Sequence, residues 1–243
     1  MSKKSVVYLN GKYVKVSAGR LEAFTPGIFQ GDGVFETMLA VGGKVFDVQA
    51  HLKRLKASFK NAGITEAIIQ ETLKLNRLDL ARVRVLVWKH QTQVHRMVMA
   101  IKYEMPKIDE YKVCVIKTKR KANARLANIK SLDYSLFADA YAKAKAKGFD
   151  EALLLNDKGY VFEASRANVF TLKNGQLITP PLSSGCLSGI TRRQVIKTAK
   201  KMGVKVLERN LTVADIRSAQ EVFVTNSLIG IKPIKLSSIV LPR

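Results

Sequence analysis

The sequence predicts an α+β protein built as two mixed domains of similar size, and three observations carry that prediction. Short runs of alternating or β-branched apolar residues are separated by Asn-Gly and Gly-Gly turns, the pattern of strands and hairpins. Between them stand segments with apolar residues at helical spacing, closed by Gly63, Gly148 and Gly203. From Lys117 to Asn128 the chain is basic, poor in large apolar residues and aperiodic, which marks a connection. On this reading residues 1–117 form the first domain, 118–128 the linker and 129–243 the second domain.

The elements follow in order. Val6–Leu9, Asn10-Gly11 and Tyr13–Val16 predict a hairpin, because Asn-Gly suits the two positive-φ positions of a type I′ turn. Thr37–Val41 and Val45–Val48 around Gly42-Gly43 predict a second. A helix is expected over 50–61, with Leu52, Leu55 and Phe59 on one face, and another from Thr65, which can cap it. Val83–Trp88, Met97–Tyr103 and Val113–Ile116 read as strands. In the second half, an Ala-rich helix is expected over 132–147 and another over 189–202. Strands are expected at Glu151–Leu155, Tyr160–Glu163, Asn168–Leu172 and Glu221–Thr225, with a turn at Asn174-Gly175. Thr212 and Asp215 have the spacing of a capping box.

Composition narrows the class. Hydrophobic residues make up 47% and charged residues 25% of 243, an ordinary globular balance with enough chain for a sizeable core. Cys114 and Cys186 belong to no paired spacing, which suits two free thiols in a reducing compartment. Forty-two Lys and Arg stand against nineteen Asp and Glu, a formal +23. That excess is spread along the chain, densest at Lys117–Lys121, and no nucleic-acid-binding motif accompanies it. An anionic substrate explains it more simply. With no long apolar run, the expected location is the cytoplasm, without membrane attachment.

Three features could carry chemistry. Lys130 lies between Ile129 and Leu132, where a buried amine must lose its charge or find a partner. One lysine among so many is otherwise a solvated one. Glu163 falls near the end of an apolar strand, and the plain reading is a solvent-facing residue on an edge. Ser188-Gly189-Ile190-Thr191 opens a helix whose free N–H groups attract an anion, and Thr225-Asn226-Ser227 offers hydroxyls in a turn.

Together these segments resemble the class IV aminotransferases, the fold-type IV pyridoxal-phosphate enzymes. The resemblance spans nearly the whole chain. It runs through Gly31-Asp32-Gly33-Val34-Phe35-Glu36-Thr37, His51-Leu52-Lys53-Arg54-Leu55, the Lys130 segment, Asp150–Leu155, Glu163 and Asn168-Val169-Phe170. The most specific stretch is Thr179-Pro180-Pro181-Leu182-Ser183-Ser184-Gly185-Cys186-Leu187-Ser188-Gly189-Ile190-Thr191-Arg192. It implies a small N-terminal α/β domain, a larger C-terminal pseudo-barrel domain, a cofactor site in the cleft between them, and a homodimer. It also implies that Lys130 forms the Schiff base with pyridoxal 5′-phosphate and shuttles protons. Glu163 would keep the pyridine nitrogen protonated, so that the ring accepts electrons. Arg54, Ile190, Thr191 and Ser227 would hold the phosphate, and Tyr134 would reach the phenolic oxygen.

Three activities share this scaffold: branched-chain aminotransferase, D-amino-acid aminotransferase and aminodeoxychorismate lyase. The stretch Val224-Thr225-Asn226-Ser227-Leu228-Ile229-Gly230-Ile231-Lys232-Pro233-Ile234 resembles the lyases, so release of pyruvate and 4-aminobenzoate, a step toward folate, is the first expectation and amino transfer the alternative. A third possibility is a non-catalytic, basic nucleic-acid-binding protein on the same scaffold, which retention of Lys130, Glu163 and Arg54 argues against. Two departures stand out. Lys89-His90 replaces the family's Arg-Gly, leaving Lys89, His90, His95 and Arg96 as candidates to read the substrate carboxylate, with Phe35 a further candidate for substrate contact. Ala23-Phe24-Thr25-Pro26-Gly27 replaces an Asp-Arg pair. No metal site is expected.

Overall fold

The computed structural model describes residues 5–16, 32–121 and 127–240; the Ala23–Gly27 departure and positions 122–126 of the expected linker lie outside them. The chain divides into two compact units, Met1–Met105 with Lys130–Tyr134, and Pro106–Ile129 with Ser135–Arg243. Among the described residues no helix is long and apolar enough to cross a membrane.

The first unit is an antiparallel sheet of six strands: β1 Val6–Leu9, β2 Lys12–Lys15, β3 Gly33–Val41, β4 Lys44–Val45, β5 Leu80–His90 and β6 Gln93–Lys102. Their order is β2-β1-β6-β5-β3-β4. Asn10 and Gly11 take φ of 46° and 97°, as the hairpin requires. The second hairpin is shorter than expected, because Val48 already belongs to helix α1, Val48–Ser58. Helix α2, Glu66–Asn76, starts at Thr65, whose side chain accepts from the Ile68 N–H. Alternation gives the sheet two faces. Val34, Glu36, Met38 and Ala40 lie on one, where α1 packs on β3 through the buried Leu52 and Leu55. Phe35 lies on the other, in a cluster with Leu86, Trp88 and Met97.

The second unit holds two sheets. One is β7 Val113–Lys117, β8 Glu151–Leu155 and β9 Val161–Ala164, in that order. The other contains β10 Asn168–Lys173, β11 Gln176–Thr179, β12 Lys205–Glu208, β13 Glu221–Asn226 and β14 Gly230–Pro233, ordered β12-β11-β10-β13-β14. Bridges close the edges: Val161 pairs with Leu211 just after β12, and Tyr111 just before β7 pairs with Ile234 just after β14. The ring so formed encloses one core, including Val113, Leu153, Val161, Val169, Leu211 and Val224. This is the pseudo-barrel that the resemblance implies.

Two placements differ from the sequence reading. Val113–Lys117 sits in the second unit, because β7 pairs in parallel with β8 through helix α3, Ser135–Ala146. A parallel pair needs such a crossover, so the strand and its helix belong together. Lys130–Tyr134 joins the first unit instead: the Phe35 N–H donates to the Lys130 carbonyl at 2.9 Å, and the Leu132 N–H to the Gly33 carbonyl at 2.9 Å. Helices α4, Ile190–Lys201, and α5, Val213–Arg217, complete the unit; Thr212 and Asp215 form the capping box.

Candidate active site

In the first unit, the segment from Lys130 to Leu132 runs as a short extra strand along β3, with Ser131 opposite Val34. The close approach requires glycine at position 33. A Cβ there would lie 2.6 Å from the Val87 carbonyl oxygen and 2.7 Å from Leu132 Cδ1. The segment delivers Lys130 Nζ to 4.4 Å from the centroid of the Phe35 ring, a cation–π contact. Tyr134 meets the same ring edge-on, with centroids 5.5 Å apart. The half-buried Lys130 therefore stands against an aromatic and aliphatic wall formed by Phe35, Leu86, Trp88, Met97, Leu132 and Tyr134.

Arg84 also lies on Phe35, with its Cζ 5.0 Å from the ring centroid. The sequence reading did not single it out. Its Nε is buried without a hydrogen-bond partner, as is that of Arg82 two residues earlier on the same face. Burial, and then the Arg82 charge, lower the Arg84 pKa from its ordinary value. A guanidinium so placed favours an anion, and a carboxylate matches its fork.

The expected carboxylate readers fare differently. Arg96 donates from Nε to the Ala62 carbonyl at 2.7 Å, from Nη2 to Asn61 at 2.9 Å and from Nη1 to Val94 at 3.2 Å. It thus pins the chain just after α1, a structural task that occupies its fork. Lys89 is exposed and His90 half-buried at the end of β5. His95 stacks on Trp88 with centroids 5.3 Å apart; its Nδ1 meets Asn10 Nδ2 at 3.1 Å, while Nε2 is buried without a partner.

On the helix-covered face, Arg54 grips Glu36 through two parallel bonds, Nε to Oε1 at 2.7 Å and Nη2 to Oε2 at 2.6 Å. His51 Nδ1 lies 2.7 Å from the same Oε2. Glu36 and His51 are buried, and Arg54 is 10% exposed. Burial pulls the Glu36 carboxyl up, but the bonds and charge of Arg54 and His51 outweigh it and leave the pKa at about 2. Glu36 and His51 stand in the motifs that carry the resemblance, yet no role was read for them from the sequence.

In the second unit, Glu163 is buried on β9 rather than solvent-facing, and its Oε2 accepts from the Leu187 N–H at 3.0 Å. The same turn holds Cys186, whose thiol is pushed up to about 12 by burial and then by the Glu163 charge, so it is no nucleophile at neutral pH. Asn168 Nδ2 donates to the Leu187 carbonyl at 2.8 Å, and the chain then enters α4 through the buried Gly189. A Cβ at Gly189 would run into Asn168 Oδ1, so any side chain there must push the Asn168 amide aside. Gly189 provides no side-chain cap, which leaves the first N–H groups of α4, those of Ile190 and Thr191 among them, for an anion. Opposite Asn168 in the sheet register, Thr225 carries a buried hydroxyl oxygen without a partner. Ser227 follows in a turn shaped by Asn226, whose Oδ1 accepts from the Leu228 and Ile229 N–H groups at 2.9 and 3.0 Å. An uncapped helix start, an orphaned hydroxyl and a buried carboxylate fit a phosphorylated pyridine. Among the described residues no group of His, Cys, Asp and Glu could hold a metal ion.

A Methanocaldococcus jannaschii protein provisionally named a branched-chain-amino-acid aminotransferase is 34% identical, over 94% of this chain and 86% of its own. Aminodeoxychorismate lyase of Bacillus subtilis is 28% identical, over 94% of this chain and 85% of its own. The branched-chain aminotransferase of Thermoproteus uzoniensis, solved with norvaline, superposes with a TM-score of 0.85 at 28% identity, covering 98% of this chain and 89% of that one. The family model for amino-transferase class IV matches residues 33–236. The chain belongs to the class IV aminotransferases, enzymes that depend on pyridoxal phosphate.

Proposed function

We propose that the protein is an aminotransferase that moves the amine of an amino acid with an aliphatic side chain to a 2-oxo acid, using Lys130 as the Schiff-base residue. The observation that carries this reading is the setting of Lys130. Its ammonium stands against Phe35 within an apolar wall, and an arginine without a hydrogen-bonding acid for its Nε lies on the same ring. Such a wall suits a hydrocarbon side chain, while Arg84 suits the carboxylate that every amino acid carries. The relatives named as branched-chain aminotransferases support it.

The bound cofactor supplies the electron sink that makes the substrate α-proton removable. The chain's own residues do the rest. Lys130 Nζ would hold the cofactor and move the proton taken from the substrate α-carbon. Glu163 would keep a proton on the ring nitrogen, its carboxylate oriented by the Leu187 N–H. The N–H groups of Ile190 and Thr191, the Ser227 hydroxyl and Arg54 are the groups that would hold the cofactor's phosphate, and Tyr134 lines the wall beside Lys130. The family's dimeric habit extends to this reading as an expected homodimer.

The lyase, the first expectation from sequence, now stands as the second reading. What favours it is the Thr225-Asn226-Ser227 turn, together with the Bacillus subtilis lyase among the relatives. One paired assay separates the two. Amino transfer from leucine or valine to a 2-oxo acid, with no 4-aminobenzoate from aminodeoxychorismate, supports the aminotransferase. Pyruvate and 4-aminobenzoate release reverses the order. In either case Lys130→Ala is expected to lose the visible absorption band that borohydride reduction shifts in the wild type. A band and activity unchanged in that variant would dispose of both readings.

A further inference from the structure

We infer that Glu36 is a positioning residue for the cofactor phosphate: it fixes the guanidinium of Arg54, with His51 holding the carboxylate in turn. The inference rests on the reading of Arg54 as a phosphate ligand and adds the group that makes it one. A lone arginine on a helix has several rotatable bonds, and ordering it costs entropy at the moment of binding. Here that ordering is completed beforehand. Two bonds of 2.7 and 2.6 Å lock the Nε–Nη2 edge onto a carboxylate that is itself 2% exposed.

The carboxylate is in the wrong place for any purely structural economy. An acid on the helix-covered face of the sheet interrupts Val34, Met38 and Ala40, all buried and apolar. A buried charge is retained at such a position only with donors on both oxygens, and Arg54 and His51 provide them. Glu36 also shares its strand with the Lys130 anchor. Phe35, its neighbour, donates its N–H to the Lys130 carbonyl and offers its ring to Lys130 Nζ. One stretch of β3, Gly33 to Glu36, therefore sets the position of both the lysine and the arginine. An aspartate, one methylene shorter, would not reach the fork in the same geometry.

The test is a binding measurement on the purified chain, with pyridoxal phosphate and its dephosphorylated form, pyridoxal, titrated by absorbance and protein fluorescence. Glu36→Gln is expected to weaken pyridoxal phosphate about tenfold, the loss of one charge-assisted contact. Pyridoxal affinity should stay within about twofold. In an Arg54→Gln background the same change should add almost nothing, because its effect passes through the arginine. Equal weakening of both ligands, or full additivity with Arg54→Gln, would overturn the inference and leave Glu36 as a packing residue. If Glu36→Gln does not fold, His51→Leu removes one donor and keeps the carboxylate. It is expected to weaken pyridoxal phosphate about threefold with pyridoxal unchanged, and no selective loss there counts against the inference equally. Wild-type protein that binds neither ligand would instead bring down the reading of the site itself.

Discussion

Two charged residues on neighbouring strands show how the same chemistry takes opposite forms in this protein. Glu36 is a buried charge that found donors; Arg84 is a half-buried charge whose buried Nε found no acceptor. The first is a stability device as well as a positioning one, and pH exposes it. Its carboxyl sits at about 2 against an ordinary 4.5, so between those values the unfolded chain binds the proton and the folded chain does not. The contribution is complete above about pH 4.5 and is lost as pH falls toward 2, on the order of 3 kcal/mol across the full window. Urea unfolding at pH 5.5 and pH 3.5, compared between wild type and Glu36→Gln, should show a steeper loss in the wild type. Parallel losses would mean that Arg54 and His51 do not depress the carboxyl. Neither residue could be weighed from the sequence. Glu36 meets its partners 15 and 18 positions away across a strand–helix contact, and Arg84 differs from dozens of other cations only in what it lacks.

At the level of elements, legibility followed locality. The Asn10-Gly11 and Asn174-Gly175 turns, the Thr65 cap and the Thr212–Asp215 capping box are decided by a few adjacent residues, and each stands where the sequence placed it. Strands β12 and β14 were not foreseen. Each is four residues long, with exposed or half-buried positions and no alternation to read, and each exists because a neighbouring strand supplies its hydrogen bonds. Glu163 was visible as an oddity but its burial was not, since a strand with both faces covered cannot be told from an edge by period alone. The uncapped start of α4 was legible as a cradle, and it yields a sharp prediction. Gly189→Ala must displace Asn168, which holds the turn beneath Glu163 through the Leu187 carbonyl. A cost of about 1–3 kcal/mol in unfolding free energy is expected, together with weaker pyridoxal phosphate binding. Binding that survives unchanged, measured by titration, would show that the first turn of α4 does not touch the phosphate.

For the whole molecule, charge is the feature that neither the fold nor the site explains in full. Even if every one of the nineteen acidic residues were paired, the forty-two cations would leave twenty-three without a partner, the formal +23. Some of the positive charge is gathered locally, as where Lys197 and Lys200 line one open groove along α4 with Ser188, Ile196 and Glu208. Ion pairs such as Arg209–Asp215 and Lys145–Asp150 are partly exposed and weaken in salt, which would lower stability. Repulsion among the unpaired cations also weakens in salt, which raises it. The second effect should win, because exposed pairs contribute about 0–1 kcal/mol each, whereas the excess acts across the whole surface. The screening length falls from about 30 Å in 10 mM salt to about 8 Å in 150 mM, shorter than the span of a domain. The melting temperature is therefore expected to climb by about 2–4 °C over that range of sodium chloride, the equivalent of about 1 kcal/mol for a chain of this size. A variant with Lys197→Gln and Lys200→Gln should melt higher at low salt and respond less to added salt. A melting temperature that stays flat or drops with salt, in wild type and variant alike, would mean that the ion pairs outweigh the excess.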